Sequence, residues 1–262
     1  MRLTGERPIE GKTPDSLLAL HAAGYREVLA RVGPGDLLDL GCGLGDGSAE
    51  FVSPDRRVVG VDYDPATAAA ARRLHRTLLT MSSNAATLAL RGARFDWVCS
   101  SHLIEHFVDP SRHVAEVARV LRDDGAAFFI TPNAPADFEN PYHVHLFEPD
   151  TLRAALAEHF GDVEVWGVDG DDAVKADFDR RRRWARRLLA VDVFDVRHRL
   201  PREWYVRLHG AARRVAYPVI AAAGRTAPAI TADRFALTPV VDASTLVLFA
   251  VARQPLRRFG TR

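Results

Sequence analysis

One stretch constrains this chain more than any other: Leu37-Leu38-Asp39-Leu40-Gly41-Cys42-Gly43-Leu44-Gly45-Asp46-Gly47-Ser48. Its apolar run has the composition of a buried strand, and a helix-compatible segment comes next. Glycine is needed where backbone turns with positive φ, or where a ligand must approach without a Cβ in the way. A buried strand that stops in such a knot belongs to the ligand-facing edge of an α/β sheet. The identity of that ligand decides which chemistry the chain can perform.

The dinucleotide fingerprint G-x-G-x-x-G/A seats a pyrophosphate on a helix N-terminus. Counted from Gly41 and Gly43, its third small residue falls at Asp46, whose carboxylate would repel a pyrophosphate. Downstream, Arg57-Val58-Val59-Gly60-Val61-Asp62 reads as a second buried strand ending in an acid. Asp62 stands about twenty residues after Gly41, the separation at which a strand-end carboxylate takes the ribose hydroxyls of an adenosine. Asp64-Pro65 then opens a helix, with Asp64 as N-cap and Pro65 at the first helical position.

At 262 residues and 47% hydrophobic, the chain can bury a full α/β core as one domain spanning 1–262. A net charge of +1 gives no general reason to expect nucleic acid as a partner. Cys42 and Cys99 are too few for a disulfide framework, which points to the cytoplasm. No N-terminal apolar stretch resembles a signal peptide, and no run approaches the ~20 apolar residues needed to span a bilayer.

Alternating patterns predict a mostly parallel sheet covered on both faces. A leading helix runs from Asp15 to Arg31. Strands follow at Asp36–Leu40, Arg57–Asp62, within Thr77–Ser82, at Phe95–Ser100, at Ala126–Thr131 after Asp123-Asp124-Gly125 stops a helix, at Val163–Val168, and at Thr245–Ala252. Intervening helices are expected over Pro65–Leu74, Pro110–Leu121 and Pro149–Phe160. Between the last two strands, 169–240 is expected to form a helical insertion. It holds Phe178–Val191 with the run Arg180-Arg181-Arg182-Arg183, and a second pattern of Trp204, Leu208, Ala211, Val215 and Val219. The arginines suit a solvated face paired with Asp177 and Asp179, or a cap that favours an anionic or lipid-linked acceptor.

Asp39 to Gly45, D-L-G-C-G-L-G, resembles motif I of the class I S-adenosylmethionine (SAM) methyltransferases. SAM is a sulfonium with no phosphate, so an acidic rim is tolerable. Phe95-Asp96-Trp97-Val98-Cys99-Ser100-Ser101-His102-Leu103-Ile104-Glu105-His106 is similar to the family's strand-four signature FDxVxxxxxxEH. Ile130-Thr131-Pro132-Asn133 with Asn140-Pro141-Tyr142-His143-Val144-His145 resembles the TPN…H segment of a subgroup that methylates hydroxyls, and Thr4-Gly5-Glu6-Arg7 its TGER opening. The resemblance covers about residues 4–168 and the final strand. It implies a Rossmann-like, seven-stranded sheet sandwiched by helices. It implies SAM as cofactor, held by Asp39, Gly41, Cys42, Gly43, Asp62, Tyr63, Asn84, Ala85, Ser100 and Ser101.

His102-x-x-Glu105-His106 also matches the H-x-x-E-H of inverted zinc proteases, but those ligands need a helix and these leave a strand for a loop. The segment is closer to the E-x-x-E-H set that holds a divalent ion in the ubiquinone-biosynthesis O-methyltransferases and the plant small-RNA 3′-end methyltransferases. His102 here replaces the first glutamate, so His102, Glu105 and His106 become the metal candidates, with His143 or His145 as a distant ligand. Such a nitrogen-rich set suits a borderline transition metal better than magnesium. Without a metal, the Glu105-His106 pair braces the loop.

An alcohol is a poor nucleophile near neutral pH, so its proton must be removed as the methyl group arrives. A histidine with pKa near ~6.5 can take it. His143 is the first choice of base and His145 the second. The expected activity is O-methylation of a sugar, a glycan or a glycosylated small metabolite. N- or C-methylation of a natural product, an NAD(P)-dependent oxidoreductase, RNA 3′-end methylation and a silent SAM-binding module are the alternatives. The sequence is compatible with a dimer and does not set the oligomeric state.

Overall fold

A computed structural model describes residues 13–137, 142–190 and 230–257. The motif Thr4-Gly5-Glu6-Arg7, the pair Asn140-Pro141 and the pattern from Trp204 to Val219 lie outside these residues.

The elements follow in order: α1 (Asp15–Leu29), β1 (Gly35–Leu40), α2 (Asp46–Glu50), β2 (Arg56–Asp62), α3 (Pro65–Leu74), β3 (Leu79–Ser82), β4 (Phe95–Ser101), α4 (Pro110–Val120), β5 (Leu121–Pro132), α5 (Pro149–Ala157), β6 (Phe160–Gly170), α6 (Asp172–Ala190), β7 (Phe235–Thr238) and β8 (Val247–Pro255). Three helices share one start signal, an acid before a proline. Asp64 accepts from Ala66 N–H at the head of α3, and Asp109 from Ser111 N–H at the head of α4. Glu148 and Thr151 cap α5 reciprocally. Proline has no N–H to lose in a first turn, and the preceding acid satisfies a donor that the helix leaves open.

The strands form one eight-stranded sheet in the order β3-β2-β1-β4-β5-β8-β6-β7. β1 pairs in parallel with β2 and β4, and β4 with β5, whereas β8 runs antiparallel to both β5 and β6. Strands β1 to β6 therefore point one way. Strand order reverses between β1 and β4, which opens a crevice beyond their carboxyl ends.

Successive strand residues face opposite sides, and both sides are buried. Leu38, Leu40, Val98 and Phe129 pack with Val114, Val117, Leu152 and Leu156 beneath α4 and α5. Leu37, Val58, Phe128 and Phe249 pack on the other side with Ala23, Val28, Val174 and Phe178 from α1 and α6. Each such phenylalanine contributes on the order of 1.5–3 kcal/mol by leaving water.

The sheet departs from the sequence reading in two places. Among the described residues it has eight strands, not seven, because Phe235–Thr238 pairs antiparallel with the end of β6 inside the span expected to be helical. In addition, Asp123-Asp124-Gly125 does not end a helix. α4 already stops where Leu121 turns extended (φ −71°, ψ 144°), and the three residues form an irregularity within β5. There the register with β4 jumps from Phe95↔Leu121 to Trp97↔Ala126. Gly125 permits this, since a Cβ would lie 2.7 Å from the Asp96 carbonyl oxygen. No helix among the described residues is long and apolar enough to cross a membrane.

Candidate functional site

At the β1–β2 edge the glycine loop is built from backbone. Gly41 N–H and Cys42 N–H both donate to the Val61 carbonyl, at 2.8 and 3.0 Å, folding the loop over the end of β2. Gly41 has φ +78°, and a Cβ there would stand 3.3 Å from Leu103 Cδ1. Glycine thus meets both a left-handed backbone and close packing against the segment after β4. Asp62 is buried at the end of β2, where Oδ2 accepts from Gly43 N–H at 3.2 Å and Oδ1 from Asp64 N–H at 2.9 Å. Two loops thereby fix the carboxylate at the crevice.

Asp39 takes a different place from the one expected. It is wholly buried beneath the loop, accepting from Ser48 Oγ at 2.5 Å and Tyr25 Oη at 3.1 Å. Burial pushes its carboxyl up to about 6, against the pull of the Ser48 and Tyr25 hydroxyls. The Tyr25 phenol and the Cys99 thiol are pushed up by burial and by Asp39 itself. Asp39 braces the loop from beneath. Cys42 is buried against Gly60, where an added Cβ would meet Sγ at 2.9 Å. Tyr63 is exposed.

Asn84 is exposed, and its side-chain oxygen accepts from Ala86 N–H at 2.9 Å within its own turn. Ala85 is buried, and its carbonyl accepts from His113 Nδ1 at 3.0 Å. His113 Nε2 is then left to accept from Ser100 Oγ at 2.9 Å, so Ser100 serves α4 from inside the sheet. Burial lowers His113 to about 4, despite the opposing Ala85 bond and the Glu105 and Glu116 charges. Ser101 stands at the end of β4 with its Oγ buried and without a hydrogen-bond partner among the described residues.

The β4–β5 edge is built from side chains. Glu105 is wholly buried in a short 3-10 turn, Ile104–His106, with Oε2 accepting from Thr131 Oγ1 at 3.1 Å. Burial alone would raise its carboxyl, but His102, His106 and His143 overcome that and hold it at about 2. One donor atom each from Glu105, His106 and His143 lies within 4.8 Å of the others. His106 Nδ1 donates to the Tyr142 carbonyl at 2.9 Å, and His143 Nδ1 to Asp137 Oδ1 at 2.9 Å. In the neutral form, each ring therefore carries its lone pair on Nε2.

His102 does not join that group, although the sequence made it the first metal candidate. Its left-handed φ of +50° turns the ring onto His21 of α1, with centroids 4.0 Å apart. His102 Nδ1 is 3.6 Å from Glu105 Oε1 and flanks the carboxylate instead. His145, the second choice of base, lies outside the group as well. Its ring packs on Phe147 at 4.6 Å, while its N–H and that of Val144 donate to the Glu105 carbonyl at 3.1 and 2.9 Å.

Sequence reasoning missed Asp137 and His21, and quoted Thr131 only as part of the TPN segment. Only Asp137 carried a signal, an acid six residues ahead of His143 in one loop. The arginine run is half solvated. Arg180 and Arg181 pair with Asp177, and Arg182 pairs with Asp179 at 3.5 Å. Arg181 and Arg182 side chains are only 12% and 20% exposed, and Arg182 Nη2 donates to the Ala136 carbonyl at 3.3 Å. α6 therefore reaches the loop that carries Asp137.

A family model described as "Methyltransferase domain" matches residues 38–129, from the glycine loop through β5. A probable S-adenosylmethionine-dependent methyltransferase of Mycobacterium tuberculosis is 34% identical over 176 residues. That match covers 64% of this chain and 64% of the relative, so about a third of the relative's length lies outside the match. The ubiquinone biosynthesis O-methyltransferase of Bartonella quintana is 31% identical over 102 residues, 37% of this chain and 41% of its own. Among solved structures, a SAM-dependent methyltransferase of Thermotoga maritima, described as a possible histamine N-methyltransferase, superposes with a TM-score of 0.58. It covers 90% of this chain and 92% of its own at 12% identity, a likeness of fold alone.

Proposed function

We propose that this chain, which belongs to the class I SAM-dependent methyltransferase family, transfers a methyl group to a hydroxyl oxygen of a sugar, a glycan or a glycosylated small metabolite. The observation that carries the hydroxyl reading is His143, brought beside Glu105 and His106 at the sheet edge that adjoins the glycine loop. The residues at that loop fit SAM. Gly41 turns the loop through a left-handed φ of +78°, and Asp62 presents an acceptor-only carboxylate suited to two ribose hydroxyls. Asp46, exposed at the head of a five-residue helix, suits a ligand without phosphate.

Bound SAM supplies a methyl group already activated on a sulfonium. The chain's part is to hold the acceptor oxygen in line with that carbon and to take its proton. His143 Nε2 accepts the proton as the O–CH3 bond forms and the S–CH3 bond breaks. The nearby Glu105 carboxylate favours the resulting imidazolium. α6, which touches the Asp137 loop, serves as a cap that helps select the acceptor.

A second reading rests on the 4.8 Å grouping of Glu105, His106 and His143, with His102 beside them. One carboxylate and two imidazoles could hold a borderline divalent ion, which would lower the pKa of a bound hydroxyl by several units. Chelation separates the two. Activity abolished by EDTA and restored by manganese or zinc supports the ion, and activity indifferent to EDTA leaves His143 as the base. The function as a whole is tested by S-adenosylhomocysteine release across hydroxyl, amine and carbon-acid acceptors. Release that depends on hydroxyl compounds supports it; release with amines alone overturns it.

A further inference from the structure

We infer that Asp137 is a positioning residue of this site, fixing the tautomer and the aim of His143 through the bond between Asp137 Oδ1 and His143 Nδ1. The inference rests on the reading of His143 as base. Its geometry stands apart from that reading: the bond is 2.9 Å long between side chains only 7% and 9% exposed. A carboxylate can only accept, so the imidazole hydrogen is held on Nδ1 and the lone pair on Nε2.

The carboxylate is itself anchored. Asp137 closes the 3-10 turn Ala134–Ala136, and its N–H donates to the Ala134 carbonyl at 3.3 Å. Ala134 N–H donates to the Phe147 carbonyl at 2.8 Å, tying the turn to the far side of the histidine loop. Asn133 Nδ2 donates to the carbonyls of Asp242 and Thr245, both at 2.9 Å, and Arg182 holds Ala136 from α6. The turn is thus fastened to the connection between β7 and β8, to the histidine loop and to α6. A rigid acid then directs a histidine that approaches from the other end of its loop. His106 is oriented the same way by the Tyr142 carbonyl, and its ring meets the His143 ring edge-on at 5.3 Å. A buried carboxylate behind a base also stabilises the imidazolium formed when the proton arrives, as in other acid–histidine pairs.

The test compares Asp137→Ala, Asp137→Asn, His143→Ala and the double variant Asp137→Ala/His143→Ala with the wild type in kcat, in KM for each substrate, and by 15N NMR of the imidazole nitrogens. Asp137→Ala should lower kcat about 10²-fold while leaving both KM values within about threefold. The double variant should be no slower than His143→Ala alone. The His143 resonance should report Nδ1–H in the wild type and move toward Nε2–H in Asp137→Ala. Asp137→Asn, with an acceptor oxygen of the same shape, should retain more activity than the alanine variant. Undiminished kcat in Asp137→Ala beside an inactive His143→Ala would overturn the inference while sparing the base. Full activity in His143→Ala would overturn the base and this role together. A wild-type Nε2–H signal would overturn the tether alone.

Discussion

The two edges of the crevice are built by different means. At the β1–β2 edge backbone does the holding: two N–H groups on the Val61 carbonyl, and two more on the Asp62 carboxylate. At the β4–β5 edge side chains meet side chains, with Thr131 on Glu105, Asp137 on His143 and His102 against His21. A backbone cradle suits one invariant ligand, because main-chain geometry is hard to retune. A side-chain cluster suits an acceptor that varies, since each contact can change by one substitution. The first edge should therefore govern cofactor affinity and the second should govern turnover.

The sharpest way to break that division is His143→Ala. It should lower kcat by roughly 10²–10⁴-fold with SAM affinity unchanged, measured by steady-state kinetics beside calorimetric titration. A parallel loss of SAM affinity would merge the two edges. Asp62→Ala should do the reverse, weakening SAM by about 100-fold and abolishing its thermal stabilisation, because a buried charged acceptor is lost. A SAM-induced rise in Tm that survives in this variant would remove Asp62 from the cofactor site.

His113 of α4 joins Ser100 of β4 to the Ala85 carbonyl in the segment after β3. It is held neutral, with its folded pKa near 4 against about 6.5 when unfolded. Between those values the unfolded chain binds the extra proton. Its stabilising share is therefore present above about 6.5 and lost as pH falls through 4, roughly 3 kcal/mol at most. Asp39, raised to about 6 by burial, acts oppositely in part of that window. The informative quantity is thus the difference in stability between wild type and His113→Leu from pH 7 to 4. It should shrink as acid is added, and a constant difference would contradict the burial of a neutral ring. Arg182→Ala should have the smallest effect, about twofold on acceptor KM with SAM affinity intact. A larger loss in SAM affinity would place α6 on the wrong edge.

The contrast also explains what could be read from sequence. Positive φ at Gly41 and the acid–proline helix starts at Asp64-Pro65 demand particular residue types at fixed local positions, so they are written in order along the chain. Glu105, His106 and His143 were identifiable by type. Which atoms meet was not, because that depends on one dihedral at His102 that turns its ring onto α1, and on a loop that returns His143 to Glu105. Asp39 was read as a ligand contact because its motif position says nothing about which side of the strand the carboxylate takes. Strand β7 was hidden because four residues carry too little periodicity to oppose a helical expectation. Asp123-Asp124-Gly125 looked like a helix stop, yet a shift in strand register absorbs the same residues.

The central claim is that a hydroxyl oxygen receives the methyl group at this crevice. It is tested most directly by supplying SAM labelled with 13C at the methyl carbon, together with glycosylated small metabolites, and reading the product by heteronuclear NMR. The account predicts a methyl carbon bonded to oxygen, formed by the wild type and lost in His143→Ala. A labelled carbon bonded to nitrogen or carbon, or a methyl ether formed equally well by His143→Ala, would contradict it.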